Sequence, residues 1–203
     1  ERRNGDVKAA GEATLERRSV VAELLEDRGD LLLVTGLGSP SYDAMAAGDT
    51  ASNFYLWGAM GSAVMVGLGL ALARPESPVL VITGDGEMLM GLGALATAGA
   101  KKPKNLSIAV LDNGRYGETG MQLSHTSFGI SLAGIAEASN FDSAGVIEDI
   151  EGVTRFRQQL QSDAGPRFAQ ILIKVENPEK VLPPRDGVFL KNRFRSNLGF
   201  PPI

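Results

Sequence analysis

The stretch Val79-Leu80-Val81-Ile82-Thr83 is apolar or β-branched at every position, and Gly84-Asp85-Gly86 ends it at once. A strand with one wet face would alternate with polar residues, so this run belongs to a sheet covered on both sides. Leu31 to Thr35 and Leu106 to Leu111 repeat the pattern, and Phe168 to Val175 supplies a further strand. Helical patterns lie between them. Thr14 to Arg28 is amphipathic, with Leu15, Val20, Val21, Leu24 and Leu25 on one face and Gly29 as its stop. Ala59 to Ala73, Glu87 to Gly99, Ile130 to Ser139 and Gly152 to Ser162 read as further helices, and Asp112 to Phe128 as less regular chain. Strands alternating with helices predict the α/β class: a parallel sheet with helices on both faces. Ligands in such sheets bind beyond the carboxyl ends of the strands, where the glycine turns fall here.

Composition narrows the function. The chain has 203 residues, a net charge of −4 and a hydrophobic fraction of 43%, enough for a sizeable core. Basic residues cluster only briefly, as at Lys101-Lys102, so no nucleic-acid partner is expected. The absence of cysteine excludes disulfides, thiolate zinc sites and iron–sulfur clusters carried by this chain. The longest weakly polar run, Gly58 to Ala73, is glycine-rich and shorter than the ~20 residues of a membrane-spanning helix. Glu1 to Thr14 lacks the apolar core of a signal peptide. The expected compartment is the cytoplasm, with no membrane partner. One domain is expected over residues 1–176, with 1–13 flexible. Residues 177–203 carry prolines at 178, 183, 184, 201 and 202 and are expected to pack on the surface or on a partner.

The chemistry gathers at two strand ends. Residues 87 to 112, 26 in all, separate Gly86 from Asn113, room for one crossover helix and one return strand. Asp85 and Asn113 would then sit side by side. A carboxylate and a carboxamide oxygen are hard ligands suited to Mg²⁺ or Ca²⁺, and one negative charge leaves room for phosphate oxygens. Gly86 removes a side chain where backbone N–H groups could meet an anion, and a helix beginning near Glu87 would add its positive end. Gly36-Leu37-Gly38-Ser39-Pro40 follows the first strand, and Ser39 can cap a helix whose first position is Pro40.

Gly-Asp-Gly, some two dozen residues, then Asn resembles the signature of thiamine-diphosphate (ThDP) enzymes. That resemblance implies Mg²⁺ held by Asp85, Asn113 and the backbone carbonyl of Arg115. It places Gly84, Gly86 and Glu87 around the cofactor, with Tyr116 and Gly117 completing an Asn-x-x-Tyr-Gly string. It implies further diphosphate contacts from Gly38 and Ser39. Met60 stands 25 positions before Asp85, where the family carries a bulky apolar residue that props the cofactor into a bent shape. The Gly58 carbonyl and the Met60 N–H would bind the aminopyrimidine edge. Ordinary helix core is the competing explanation for Met60.

The run from Gly84 to Gly99 is similar to phosphonopyruvate and sulfopyruvate decarboxylases, with the likeness extending from about Leu31 to Val175. It implies the diphosphate-binding (β) subunit of a split 2-oxo acid decarboxylase. A separate pyrimidine-binding (α) subunit would supply the activating glutamate, and a small 2-oxo acid would be the substrate. The segment Arg115-Tyr-Gly-Glu-Thr-Gly-Met-Gln-Leu-Ser-His departs from those relatives and is expected to roof the site. Within it, Arg115 could pair with a substrate anion, and His125 and Glu118 are candidates for proton transfer. Solvated or structural roles are the bland alternative for all three. An NAD-binding module is rejected, because Gly36-Leu-Gly-Ser-Pro-Ser lacks the third glycine of that fingerprint. A subunit of another ThDP carboligase or oxidoreductase, or a non-catalytic regulatory subunit of the same fold, remains as an alternative.

Overall fold

The structure, a computed structural model, describes residues 13–162 and 164–202. Apart from Ala13, the expected flexible stretch 1–13 lies outside the described residues. The chain runs α1 (Arg17–Leu25), β1 (Leu32–Thr35), α2 (Ser39–Ala47), β2 (Asn53–Tyr55), α3 (Ala63–Ala73) and β3 (Val79–Gly84). It continues with α4 (Asp85–Met90), α5 (Gly93–Lys101), β4 (Leu106–Asp112), β5 (Arg115–Tyr116) and β6 (Gln122–Leu123). After a 3-10 turn over His125–Phe128 come α6 (Leu132–Ala138), β7 (Ser143–Ile147), α7 (Ile150–Gln158), β8 (Arg167–Leu172) and α8 (Gly187–Asn197).

Six strands form one parallel sheet in the order β2-β1-β3-β4-β8-β7. The four β-branched runs are its centre and are buried along their length. Successive side chains alternate between two cores. Val79 and Val81 meet α3, α5 and α6 on one face, while Leu80 and Ile82 meet α1, α2 and α7 on the other. The expected α/β fold with helices on both faces is what forms.

The edge strands β2 and β7 were not expected from the sequence, and several helices differ from the sequence reading. The helix expected over Glu87–Gly99 is two helices broken at Gly91-Leu92. A Cβ on Gly91 would lie 2.0 Å from the Gly61 carbonyl oxygen, so this backbone crossing requires glycine. The helix expected from Ala59 starts only at Ala63, because Ala59 (φ 55°) and Gly61 (φ 94°) occupy the left-handed region. Ser39 does not cap α2: Gly38, at φ 78°, is the capping residue and Ser39 is already helical, with Pro40 next. The proline-rich tail contains α8, capped by Asp186 through the Val188 and Phe189 N–H groups. Leu190 enters one core and Phe194 the other, so α8 wraps the β2 edge of the sheet.

Candidate functional site

Parallel pairing sets Gly84 opposite Leu111, so β3 and β4 end together at the carboxyl edge of the sheet. Asp85 and Asp112 emerge there as neighbours and Asn113 follows. Beyond them opens a cleft continuous with solvent. Its floor is Gly84, Asp85, Gly86 and Asn113; Ser39 and Pro40 at the start of α2 form one wall. Met60 stands on the mouth at 38% exposure, and Arg115 to Thr119 form the roof. Ser39, Met60, Asp85, Asn113 and Arg115 thus line one cleft.

Asp85 is buried, and its Oδ2 accepts a short hydrogen bond from Ser124 Oγ and a longer one, 3.4 Å, from Thr126 Oγ1. Burial, with the Asp112 carboxylate second, pushes its pKa up to about 7 against the opposing pull of the Ser124 bond. Asp112 is buried too. Its Oδ1 accepts from Gly114 N–H at 2.9 Å and Thr126 Oγ1 at 2.8 Å, and its Oδ2 from Gln170 Nε2 at 2.7 Å. Two buried carboxylates at one sheet edge repel each other unless a proton or a cation intervenes. The described residues hold no group of three His, Cys, Asp or Glu placed for a metal. A cation at Asp85 would therefore be completed by a carboxamide, backbone carbonyls and ligand oxygens, the donor set of Mg²⁺ or Ca²⁺.

Glu87 lines the cleft as well. Its buried carboxylate accepts from Leu37 N–H at 2.9 Å and Gly61 N–H at 3.3 Å, and burial raises its pKa. One side chain thereby ties the β1–α2 loop to the turn that carries Met60. Gly86 is also more constrained than expected, since a Cβ there would lie 2.5 Å from the Tyr116 ring. The ring lies against the glycine and closes the floor to the roof. The helix end foreseen near Glu87 belongs to a six-residue α4 beginning at Asp85, whereas α2 is nine residues long.

A family model described as "Thiamine pyrophosphate enzyme, C-terminal TPP binding domain" matches residues 39–179. The chain belongs to this family. It is 37% identical over 180 residues to the sulfopyruvate decarboxylase subunit beta of Methanothermobacter thermautotrophicus, covering 89% of this chain and 94% of that one. It is 35% identical over 191 residues to the phosphonopyruvate decarboxylase of Streptomyces viridochromogenes, covering 94% of this chain and 46% of that one. Among solved structures, the benzoylformate decarboxylase of Polynucleobacter necessarius superposes at a TM-score of 0.65 with 17% identity, over 82% of this chain and 34% of that one. The first match spans both chains nearly end to end.

Within this TPP-binding domain the remaining candidates separate. Ser39, Met60, Gly84, Gly86, Tyr116 and Gly117 line the cleft, as do Asp85, Asn113 and Arg115. Gly38 caps α2 beside the Glu118 side chain. Gly58 is exposed and lies outside the lining. Arg115 turns its guanidinium to the Met121 carbonyl at 3.2 Å, bracing the β5–β6 hairpin. Glu118 reaches the rim, where Lys180 donates to it at 3.0 Å. His125 is exposed on the 3-10 turn and does not line the cleft, while its neighbours Ser124 and Thr126 point inward to the carboxylates.

Sequence reasoning missed Asp112, Ser124, Thr126 and Gln170. Gln170 was the legible one: a lone amide inside the apolar run Phe168-Ala-Gln-Ile-Leu172 must find a buried partner. It also missed Arg17, which lines the cleft and is buried in an ion pair with Asp43.

Proposed function

We propose that this chain is the ThDP- and Mg²⁺-binding subunit of a two-subunit decarboxylase of small 2-oxo acids, of the sulfopyruvate or phosphonopyruvate kind. The observation that carries the reading is the cleft at the β3–β4 edge, in a chain of which 89% aligns with a decarboxylase β subunit. The residues present fit the cofactor. Asp85 Oδ1, the Asn113 carboxamide and the Arg115 carbonyl would hold Mg²⁺, which relieves the crowding of Asp85 and Asp112. The start of α2 and the glycine floor suit a diphosphate. Met60 would support the ring end, on a turn fixed by Glu87 and Gly91.

Bound ThDP would supply the nucleophilic carbon and the electron sink that loss of CO₂ from a 2-oxo acid requires. The protein contributes placement. Asp85 and Asn113 fix one end of the cofactor, Met60 bends the other, and Tyr116 with the β5–β6 hairpin shields the cleft from water. The activating glutamate would come from the pyrimidine-binding subunit. Exposed apolar surface suits that partner: α3 carries no charged residue, yet Met65 is 45% exposed and Leu72 49%, and Phe128 is 71% exposed. The domain limits proposed are 1–176 for the cofactor domain, with 177–203 strapping its edge. No described helix is long and apolar enough to cross a membrane; the location proposed is the cytoplasm.

The test is reconstitution. The chain with ThDP and Mg²⁺ should be inactive on sulfopyruvate and phosphonopyruvate, and mixing with a pyrimidine-binding subunit should start CO₂ release. Turnover by the chain alone would overturn the split-site reading.

A further inference from the structure

We infer that Arg17 is a further binding residue for the diphosphate of the cofactor, its guanidinium locked by Asp43 so that one nitrogen is left for the anion. The inference rests on the cofactor reading above and adds a residue from outside the strand-end turns that carry the rest of the site. Arg17 opens α1 and lines the cleft, yet it is only 5% exposed. Its Nε donates to Asp43 Oδ2 in a short contact, and its Nη2 donates to Asp43 Oδ1 at 3.4 Å. Asp43 is fully buried and also accepts from Arg18 Nε at 3.4 Å. Among the described residues the Arg17 Nη1 has no hydrogen-bond partner.

A guanidinium carries five N–H donors in one plane, and a nearly buried one needs acceptors for all of them. Asp43 takes the edge formed by Nε and Nη2, which leaves the two N–H groups of Nη1 directed away from that edge. The fold decides what they meet. Asp43 stands four residues after Ser39 in α2 and so shares its helix face. Ser39 and Pro40 form the wall of the cleft where the diphosphate is proposed to lie. The clamp therefore sits beside the first turn of α2, whose partial positive charge acts on the same anion. Charge points the same way. Asp43 sets one negative charge against the guanidiniums of Arg17 and Arg18, so the cluster keeps a positive surplus. Glu176 accepts the Arg17 backbone N–H at 2.9 Å and leaves the guanidinium alone. A diphosphate oxygen answers both needs, since it accepts the open N–H groups and balances the surplus charge.

The experiment titrates ThDP, in excess Mg²⁺, into the full chain mixed with its partner subunit, and then displaces the bound ThDP with inorganic pyrophosphate. Arg17→Met alone would leave Asp43 buried without its partner. The variant measured therefore combines Arg17→Met with Asp43→Leu, which removes both buried charges. Its affinities for ThDP and for pyrophosphate should each fall about ten-fold, while the cofactor-free melting temperature stays near that of the wild type. Arg17→Lys keeps the charge and loses the fork, so its affinities should lie between the two. Unchanged affinities in the folded double variant overturn the inference. A loss confined to ThDP, with pyrophosphate unaffected, overturns it as well, because the contact would then lie away from the diphosphate. If the double variant does not fold, Arg17→Lys decides, and wild-type affinities there overturn the inference. Absence of ThDP binding by the wild type would overturn it together with the proposed function.

Discussion

The floor and the roof of the cleft are built from different material. Asp85 leaves a strand paired along its full length, in a sheet whose central side chains are fully buried, and its carboxylate sits among fixed donors. The roof from Gly117 to Gly120 is exposed, and the hairpin beneath it has two residues per strand. Its ties to the body are few: Tyr116 against Gly86, the hydroxyls at 124 and 126, and Lys180 on Glu118. A rigid floor suits an anchor for cofactor and metal, and a lightly tethered roof suits a surface across which substrate must pass. Variants should therefore lose function steeply at the floor and shallowly at the roof.

The largest effect is expected at Asp85. Asp85→Ala removes the only carboxylate proposed to meet the metal and should abolish Mg²⁺-dependent ThDP binding while leaving the fold intact. Calorimetry with and without EDTA checks this, and unchanged affinity would remove the floor from the argument. The wild type adds a pH signature. Its Asp85 carboxyl, raised from 3.8 to about 7 chiefly by burial, keeps a proton in the metal-free folded state that the unfolded chain has already lost. The stability contributed is full below pH 4 and is lost as pH rises through about 7. Metal must displace that proton, so Mg²⁺ binding should tighten from pH 5 to 7 and release a proton measurable in buffers of different ionisation enthalpy.

The same contrast explains what could be read from the sequence. The four central strands were legible because short, predominantly apolar runs ended by turns read as buried strands in a chain of this size. Edge strands lacked that signal: Asn53–Tyr55 is three residues long, and Ser143–Ile147 is small, glycine-containing and half exposed. α8 was hidden by its charges, although Asp186 as a cap with Leu190 and Phe194 four apart was a readable pattern. At the site, Asp85 and Asn113 were brought together by spacing along the chain, which works where a crossover unit has a standard length, and Met60 was singled out by the family resemblance. Ser124 and Thr126 could not be found that way. They reach Asp85 across 39 and 41 residues through an irregular segment, and nothing local marks an inward hydroxyl.

Met60→Ala tests the join between floor and roof and should have an intermediate effect. Met60 is 38% exposed on a turn held by its backbone, so truncation leaves Glu87, Gly61 and Gly91 in place. The stability cost should lie below the ~2–5 kcal/mol of a fully buried methionine. ThDP affinity should fall only a few-fold, because the diphosphate and metal contacts remain, whereas kcat should drop by about ten-fold or more. If kcat falls only in proportion to the folded fraction measured by thermal melting, Met60 does not shape the cofactor.

The smallest effect is expected at the outermost tie. Lys180 comes from the segment after β8, donates to Glu118 at 3.0 Å and lies 5.2 Å from the Tyr42 ring centre, so it spans roof, α2 and tail. The Glu118 bond raises the lysine pKa, but both side chains are largely in water. An exposed pair of this kind contributes at most about 1 kcal/mol, and less as salt rises. Lys180→Ala should lower the melting temperature by no more than about 3 °C. Its effect should instead be local: amides of residues 116–123 exchange faster with solvent, and added salt reproduces that change in the wild type without affecting the variant. Floor amides in β3 and β4 should not respond to either treatment, because their protection comes from the sheet. Equal acceleration of both sets would mean that roof and floor open as one unit. A roof unmoved by loss of Lys180 would place its ordering on Tyr116 and the two hydroxyls alone.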